Sequence, residues 1–104
     1  MATNNEKLIS AIREGKLSKV KAYVRQGISI DAPIDLDYGT TFPLTEAIRS
    51  GNREIVDYLI GEGATVTAYE VNGKVNNPVR AALDRADFAI LDAVIKAGGD
   101  LSSV

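Results

Sequence analysis

The sequence contains neither cysteine nor histidine, and each absence excludes a class of chemistry. The chain can form no disulfide and has no thiolate or imidazole metal ligand. A nucleophile–imidazole pair cannot be assembled either. The acidic residues Asp31, Asp35 and Asp37 lack the glycine and the distal glutamate of a Ca²⁺ loop, so we favour solvated loop acids. We expect no catalytic residue, no metal and no cofactor, and we predict a protein that is not an enzyme.

Aromatic residues and long apolar runs are also scarce. Aromatic side chains make up 6% of the sequence, and tryptophan is absent. No apolar run approaches the ~20 residues that cross a bilayer, and the first residues lack the basic-then-apolar pattern of a secretory signal. The net charge of −2 gives no general attraction to nucleic acid or to an anionic membrane. We therefore expect a cytoplasmic protein whose partner is neither nucleic acid nor membrane.

What the sequence does contain is typical of a small folded protein. Hydrophobic residues make up 45% and charged residues 25% of its 104 residues, which fits a single domain spanning 1–104. Basic side chains outnumber acidic ones in 1–27, and acidic ones outnumber basic ones in 28–76. Two interpretations stand: these charges are solvated helix faces, or the acidic middle steers a partner with a basic surface.

A repeat of about 35 residues runs along the chain. The corresponding apolar positions are Leu8, Ala11 and Ile12 in the first copy, Leu44, Ala47 and Ile48 in the second, and Val79, Ala82 and Leu83 in the third. Apolar and glycine positions correspond between copies while the residues between them vary, as in a structural repeat. The copies occupy approximately 5–40, 41–75 and 76–104.

Each copy begins with a short helix. The apolar residues recur at i, i+3 and i+4, which is the spacing of one helix face. Pro43 and Pro78 suit the first helical turn, where the missing N–H is not needed. The first copy has no proline there, and Asn4 or Asn5 is the predicted cap.

A tight turn and a second helix follow in each copy. Gly15 and Gly51 end the first helix by adopting a left-handed backbone. Ala86 stands in the third copy and lacks that freedom, so a different turn or mild strain is expected. The predicted second helices are Leu17–Arg25, Arg53–Gly61 and Asp87–Lys96.

The connections between copies are rich in turn-forming residues. Asn72-Gly73 between β-capable residues is a strong hairpin signal, and Tyr38-Gly39 is a weaker one. We predict that each connection projects a loop or a short hairpin from the same edge.

The segment from Thr41 to Ala64 resembles an ankyrin repeat. It carries Thr41-Phe42-Pro43-Leu44-Thr45-Glu46-Ala47, then Ile55-Val56-Asp57-Tyr58-Leu59-Ile60, then Gly63-Ala64. The family signature reads Thr-Pro-Leu-His-x-Ala, a Val-x-x-Leu-Leu helix, and Gly-Ala-Asp-Val. The resemblance implies an all-α fold class: an ankyrin-repeat solenoid of three helix–turn–helix units joined by long loops or short β-hairpins. It also implies binding to another protein.

The chain departs from the signature in two respects. Thr45 and Arg80 occupy the histidine position, so we expect an altered hydrogen-bond network at the start of the first helices. The connections are longer than the common repeat by about two or three residues. The shape of the binding edge is therefore not given by the resemblance.

The resemblance places partner binding on the loop tips and on the exposed ends of the first helices, which together form a concave surface. By position, that edge comprises Arg13, Glu14, Asp35, Asp37, Tyr38, Arg49, Ser50, Tyr69, Glu70, Asn72, Lys74, Asp84 and Arg85. Tyr38 and Tyr69 are candidate anchors, because tyrosine buries a large area at small entropic cost. The alternative is that each tyrosine packs under its own loop.

Two functions from different classes remain open. The first is an adaptor or inhibitor that binds a partner protein, with an immunity- or antitoxin-type neutraliser as its sharper form. The second is a structural protomer that forms a homodimer through the terminal repeat. Phe88, Ala89, Ala93 and Leu101 offer apolar surface there, where a polar cap is expected.

Overall fold

The structure, a computed structural model, describes residues 3–36 and 39–101. Within those ranges the chain forms six helices and four short strands. In chain order they are α1 Asn4–Arg13, α2 Leu17–Arg25, β1 Ile34–Leu36, β2 Gly39–Thr41, α3 Pro43–Ser50, α4 Arg53–Gly61, β3 Tyr69–Val71, β4 Lys74–Asn76, α5 Pro78–Arg85 and α6 Phe88–Lys96.

The helices pack as three consecutive pairs. Each first helix contacts the second helix of its own copy, and α3 contacts both α1 and α5. The second helices follow the same order, with α4 touching α2 and α6. The repeated apolar positions fill the space between them, and Leu8, Ile12, Leu44, Ile48 and Val79 are almost completely buried. A helix pair of this size has too little surface to bury its apolar face alone, so the contacts between pairs complete the core.

The helix starts follow local capping chemistry, with one correction to the prediction. Pro43 and Pro78 open α3 and α5, as predicted. The cap of α1 is Thr3, rather than Asn4 or Asn5, because the Thr3 hydroxyl accepts from the Glu6 N–H at 3.1 Å. Both asparagines lie in the first helical turn instead.

The second helices have nearly the predicted bounds. Leu17–Arg25 and Arg53–Gly61 agree with the prediction, and α6 begins one residue later than predicted. Asp87 lies just outside α6 because its carboxylate accepts from the Ile90 N–H at 3.1 Å, which is the role of an N-cap.

The turn between the two helices of the second and third pairs uses a left-handed residue. Gly51 has φ +72° and Ala86 has φ +57°. Of the two predicted outcomes for Ala86, strain rather than a different turn is therefore observed. Alanine pays a steric penalty in this backbone region that glycine does not.

Both long connections end in a two-stranded antiparallel hairpin. Tyr69, Glu70 and Val71 pair with Asn76, Val75 and Lys74, so Asn72-Gly73 forms the predicted two-residue turn. Positive φ at both turn residues, +50° and +80°, is the geometry of a type I′ turn. In the first hairpin Leu36 pairs with Gly39. Asp37 and Tyr38, which lie between these two in the sequence, are outside the described residues.

The described chain is thus mostly helical with two small hairpins, which is compatible with ankyrin repeats. Among the described helices, none combines the length and apolar character needed to cross a membrane. The cellular compartment stays a prediction.

Candidate functional site

Two adjoining cavities lie where the hairpins meet the first helices. The hairpin cavity lies between the two hairpins, has a volume of about 190 Å³ and is lined by Thr40, Thr41, Phe42, Thr45, Arg49 and Lys74, with Gly73 and Val75 at its second hairpin. The helix-end cavity has a similar volume, about 190 Å³, and is lined by Arg13, Leu36, Thr40, Thr41, Glu46 and Arg49, with Gly39. Thr40, Thr41 and Arg49 belong to both linings, so the two cavities form one continuous concave edge.

An ion pair between helices forms one wall of the helix-end cavity. The Arg13 guanidinium on α1 donates to the carboxylate of Glu46 on α3. The Glu46 side chain is 9% exposed and that of Arg13 is 42% exposed, so the pair is buried at its acidic end. This pair therefore fixes α1 against α3 beneath the edge.

A second polar link joins the middle copy to the next one. The Thr45 hydroxyl donates to the side-chain oxygen of Asn76, at the end of β4, and Asn76 is 1% exposed. Thr45 occupies the histidine position of the signature. The altered network expected from the sequence is thus a direct bond between α3 and the second hairpin.

One hydroxyl in this region has no partner. Thr41 ends β2 and lines both cavities, and it is 7% exposed. Its Oγ1 is buried without a hydrogen-bond partner among the described residues. A buried unpaired hydroxyl is uncommon, because the lost hydration is not replaced.

Tyr69, the first residue of β3, contacts residues on both sides of the first hairpin. Its hydroxyl donates to the Asp31 carbonyl at 2.5 Å, and its ring meets that of Phe42 edge-on with centroids 5.7 Å apart. Burial raises the pKa of the Tyr69 hydroxyl above its ordinary range; the nearby Asp31 carboxylate adds to this rise, and a hydrogen bond with Asn76 opposes it. These contacts agree with the interpretation that Tyr69 packs against its neighbours. Tyr69 is half-buried, so part of the residue is still exposed. Its role as an anchor stays a prediction.

The acidic residues of the first connection hold neighbouring segments. The Asp31 carboxylate accepts from both the N–H and the hydroxyl of Thr65 at 2.9 Å, and Asp35 accepts from the Thr40 hydroxyl at 2.8 Å. No group of three or more acidic residues that could hold a metal ion occurs in the described ranges. The third acid of this set, Asp37, lies outside those ranges.

The remaining predicted residues are distributed unevenly about the edge. Arg85 donates to the Arg49 carbonyl at 2.8 Å and so joins the row of arginines at the helix ends. Asp84 instead pairs with Arg80 along α5 at 3.0 Å. Ser50, Glu70 and Asn72 are exposed, and the predicted anchor Tyr38 lies outside the described residues.

Glu14 lies apart from the two cavities. It pairs with Lys16 at 3.0 Å, and this contact lowers the pKa of the Glu14 carboxyl and raises that of the Lys16 ammonium. Glu14 lines a different cavity of about 130 Å³, together with Lys7, Ser10 and Tyr23 of the first copy.

The charge of the two cavities differs from that of the acidic middle segment, on which the interpretation of a partner with a basic surface was based. Arg13, Arg49 and Lys74 line the two cavities, and Glu46, the acidic residue among the described linings, is already paired. The prediction counted charges along the chain. The fold instead brings together Arg13, Arg49 and Arg85, each of which lies in the last turn of a first helix.

The residues of the edge that were not predicted from the sequence include the polar residues Thr41, Thr45, Glu46 and Asn76. The repeat alignment contained one indication of the role of Glu46. Glu46 corresponds to Ser10 in the first copy and to Ala81 in the third, so a charged residue stands where its counterparts are small. A carboxylate at a core-facing position requires a partner, because an unpaired buried charge is costly.

Comparison with known proteins agrees with the repeat. The chain is 39% identical over 70 residues, 67% of its length, to phosphocholine transferase AnkX of Legionella pneumophila. It is 29% identical over 103 residues, 96% of its length, to the ankyrin repeat and KH domain-containing protein mask-1 of Caenorhabditis elegans. These alignments cover 7% and 3% of the two relatives, so the chain spans a small fraction of either. No protein-family model matches the chain.

The chain belongs to the ankyrin repeat family. Repeats of this family are protein–protein interaction modules, which is the class of function that the relatives imply.

Proposed function

We propose that the chain forms one ankyrin-repeat solenoid, with repeats at 5–40, 41–75 and 76–104, and that it binds a partner protein through the concave edge. The observation that carries the proposal is the convergence of Arg13, Arg49 and Lys74 on two adjoining cavities at that edge. These residues come from α1, α3 and β4, which are separate elements. Binding residues held on rigid elements in this way form a preorganised surface.

The proposal includes no catalysis by this chain. The polar side chains that line the two cavities are threonine hydroxyls, two arginines, one lysine and a paired glutamate, without an imidazole or a thiol to act near neutral pH. The resemblance to a phosphocholine transferase covers 7% of that enzyme, and its activity is a property of that protein.

A steric test separates the concave edge from the rest of the surface. Ser50 lies exposed at the end of α3, and Ser18 lies exposed on α2. Purified chain carrying Ser50→Trp should lose capture of its partner from an extract of the source cells, because the added indole occupies the edge. Ser18→Trp adds the same side chain on a second helix and should capture the partner as the unaltered chain does.

Equal capture by the two tryptophan variants would contradict binding through the edge. Circular dichroism of both variants shows whether the fold is retained. The roles of adaptor, inhibitor and immunity-type neutraliser differ in whether the bound partner stays active. An assay of the captured partner, with and without this chain, therefore distinguishes them.

A second candidate function is self-association through the third repeat. The observation that favours it is exposed apolar surface: Phe88 is 70% and Leu101 54% exposed. Light scattering on a dilution series would then show a dimer that Phe88→Glu converts to a monomer. A monomer at all concentrations would exclude this candidate.

A further inference from the structure

The hairpin cavity is lined by two positively charged residues that come from different elements. Arg49 comes from the end of α3 and Lys74 from the start of β4. Among residues 3–36 and 39–101, neither side chain has an ion-pair or hydrogen-bond partner, and no acidic residue lines this cavity. Two unneutralised cations facing one cavity repel each other, and an anion between them would remove that repulsion.

One residue of the cavity lining carries a buried hydroxyl that is not yet paired. Among the described residues the Thr41 hydroxyl has no hydrogen-bond partner, whereas the Thr45 hydroxyl already donates to Asn76. Because the Thr41 oxygen is buried, its side chain would have to rotate toward the cavity to donate to an oxygen atom there. Hydrogen bonds from charged or hydroxyl donors to an anionic oxygen are shorter and stronger than neutral ones.

The size and the apolar part of the cavity restrict the occupant. Its volume of about 190 Å³ is below the roughly 300–1,000 Å³ of sites for drug-sized ligands. Val75 is 62% exposed at the rim, and the Phe42 ring forms part of the wall. A single side chain with a short aliphatic stem and an anionic end matches this arrangement.

We propose that the hairpin cavity receives the carboxylate of an aspartate or glutamate side chain of the partner protein. In the bound state Arg49 and Lys74 both contact the carboxylate, and Thr41 donates to one of its oxygens. This inference rests on the proposed function, because it specifies what the concave edge binds. It assigns an acidic partner surface, which is the opposite of the sign expected from the linear charge distribution.

The test uses a carboxylate probe and needs no partner. N-acetylglutamate N-methylamide is titrated into isotope-labelled chain and followed by NMR, with N-acetylglutamine N-methylamide as the neutral match. We expect saturable shifts at Thr41, Lys74 and the Arg49 Nε–H, with the glutamine probe binding at least about tenfold more weakly because it lacks the charge. Raising the salt concentration should weaken the binding of the glutamate probe, because its contacts with the chain are partly exposed.

Variants assign the effect to the cavity. Arg49→Gln and Lys74→Gln should each lower the affinity for the glutamate probe about fivefold or more, and Thr41→Val should lower it about threefold. Arg53→Gln removes an exposed arginine on α4 and is the matched control, expected to leave binding unchanged. An Arg53→Gln effect equal to that of Arg49→Gln, or equal binding of the two probes, would overturn the proposal.

A third probe and the partner itself complete the design. An N-acetylphosphoserine N-methylamide that binds more than about tenfold tighter than the glutamate probe would overturn the assignment to a carboxylate in favour of a phosphorylated residue. A partner whose capture is abolished by Ser50→Trp but unaffected by Arg49→Gln and Lys74→Gln would overturn the acidic-side-chain assignment alone. A partner insensitive to Ser50→Trp would overturn binding through the edge, whatever the probes show.

Discussion

The Arg13 guanidinium crosses from α1 to α3 and donates to the carboxylate of Glu46. With the Glu46 side chain 9% exposed, this pair differs from Arg80–Asp84 on α5, whose side chains are 61% and 62% exposed. Breaking a buried pair leaves a charge without hydration or partner, whereas exposed pairs are screened by water. The two pairs thus provide an internal comparison of ion-pair strength within one chain.

Double-mutant cycles with alanine should separate the two pairs. For Arg13 and Glu46 we expect a coupling free energy of about 1–3 kcal/mol, reduced from that of a fully buried pair because Arg13 is partly exposed. For Arg80 and Asp84 we expect about 0.5 kcal/mol or less. Urea denaturation at neutral pH measures both, and equal coupling in the two cycles would contradict a structural role for Glu46.

The two neighbouring threonines of the edge should respond differently to valine. Thr45→Val removes the donor to Asn76 and leaves a buried amide oxygen unpaired, which should lower the free energy of unfolding by about 1–3 kcal/mol. Thr41→Val replaces a hydroxyl that has no partner within 3–36 and 39–101, so stability should be unchanged or slightly raised. Thermal denaturation of the pair checks the prediction; a Thr41→Val loss as large as that of Thr45→Val would refute it.

The left-handed turn of the third copy should tolerate glycine better than alanine. Ala86→Gly relieves the steric penalty at φ +57° and, after the entropy of the unfolded chain is subtracted, should stabilise by roughly 0.5–1 kcal/mol. Gly51→Ala is the reverse change at the equivalent turn. There a Cβ would overlap the Arg85 guanidinium, so this variant should lose stability and displace Arg85. Chemical denaturation of both variants provides the measurement.

The raised pKa of the Tyr69 hydroxyl predicts that the chain loses stability at alkaline pH. Its pKa is raised in the folded state by burial, so the neutral form is favoured there relative to the unfolded chain. The neutral Tyr69 hydroxyl contributes fully to the free energy of unfolding below its unfolded-state pKa of about 10. This contribution is lost as pH rises through the higher pKa of the folded state. The difference between absorbance titrations of the unaltered chain and Tyr69→Phe should have a midpoint above pH ~10.

The same titration needs a second comparison, since burial and the nearby Glu62 also raise the pKa of Tyr58. Tyr58→Phe, measured in parallel, assigns its share of the absorbance change. A Tyr69 difference midpoint at or below that of free tyrosine would show that its hydroxyl is not held as described.

The elements with local causes were predictable from the sequence. Pro43, Gly51 and Asn72-Gly73 each constrain their own backbone, so helix starts, turns and the second hairpin follow from a few adjacent residues. The cap of α1 was mispredicted because Thr3, Asn4 and Asn5 are all good capping residues. Threonine and asparagine differ too little in N-cap preference for the sequence to select one of three adjacent residues.

The contacts of the concave edge were less predictable, because they join residues of different copies. Arg13 with Glu46 and Thr45 with Asn76 are more than thirty positions apart, and neither pair leaves a local pattern. The positive charge of the two cavities was not predicted, for the same reason. A count along the chain places Arg13 and Arg49 in oppositely charged segments, whereas the fold places both on one cavity.

The middle helix pair touches both of its neighbours, and this arrangement has a consequence for the order of events during folding. Contacts between adjacent copies are close in sequence, so the search for them is short and folding should be fast. α3 and α4 are the natural nucleus, from which structure propagates toward either end. During synthesis on the ribosome, α1 and α2 would stay unfolded until α3 and α4 have emerged from the exit tunnel. Most of the core would then form in one step.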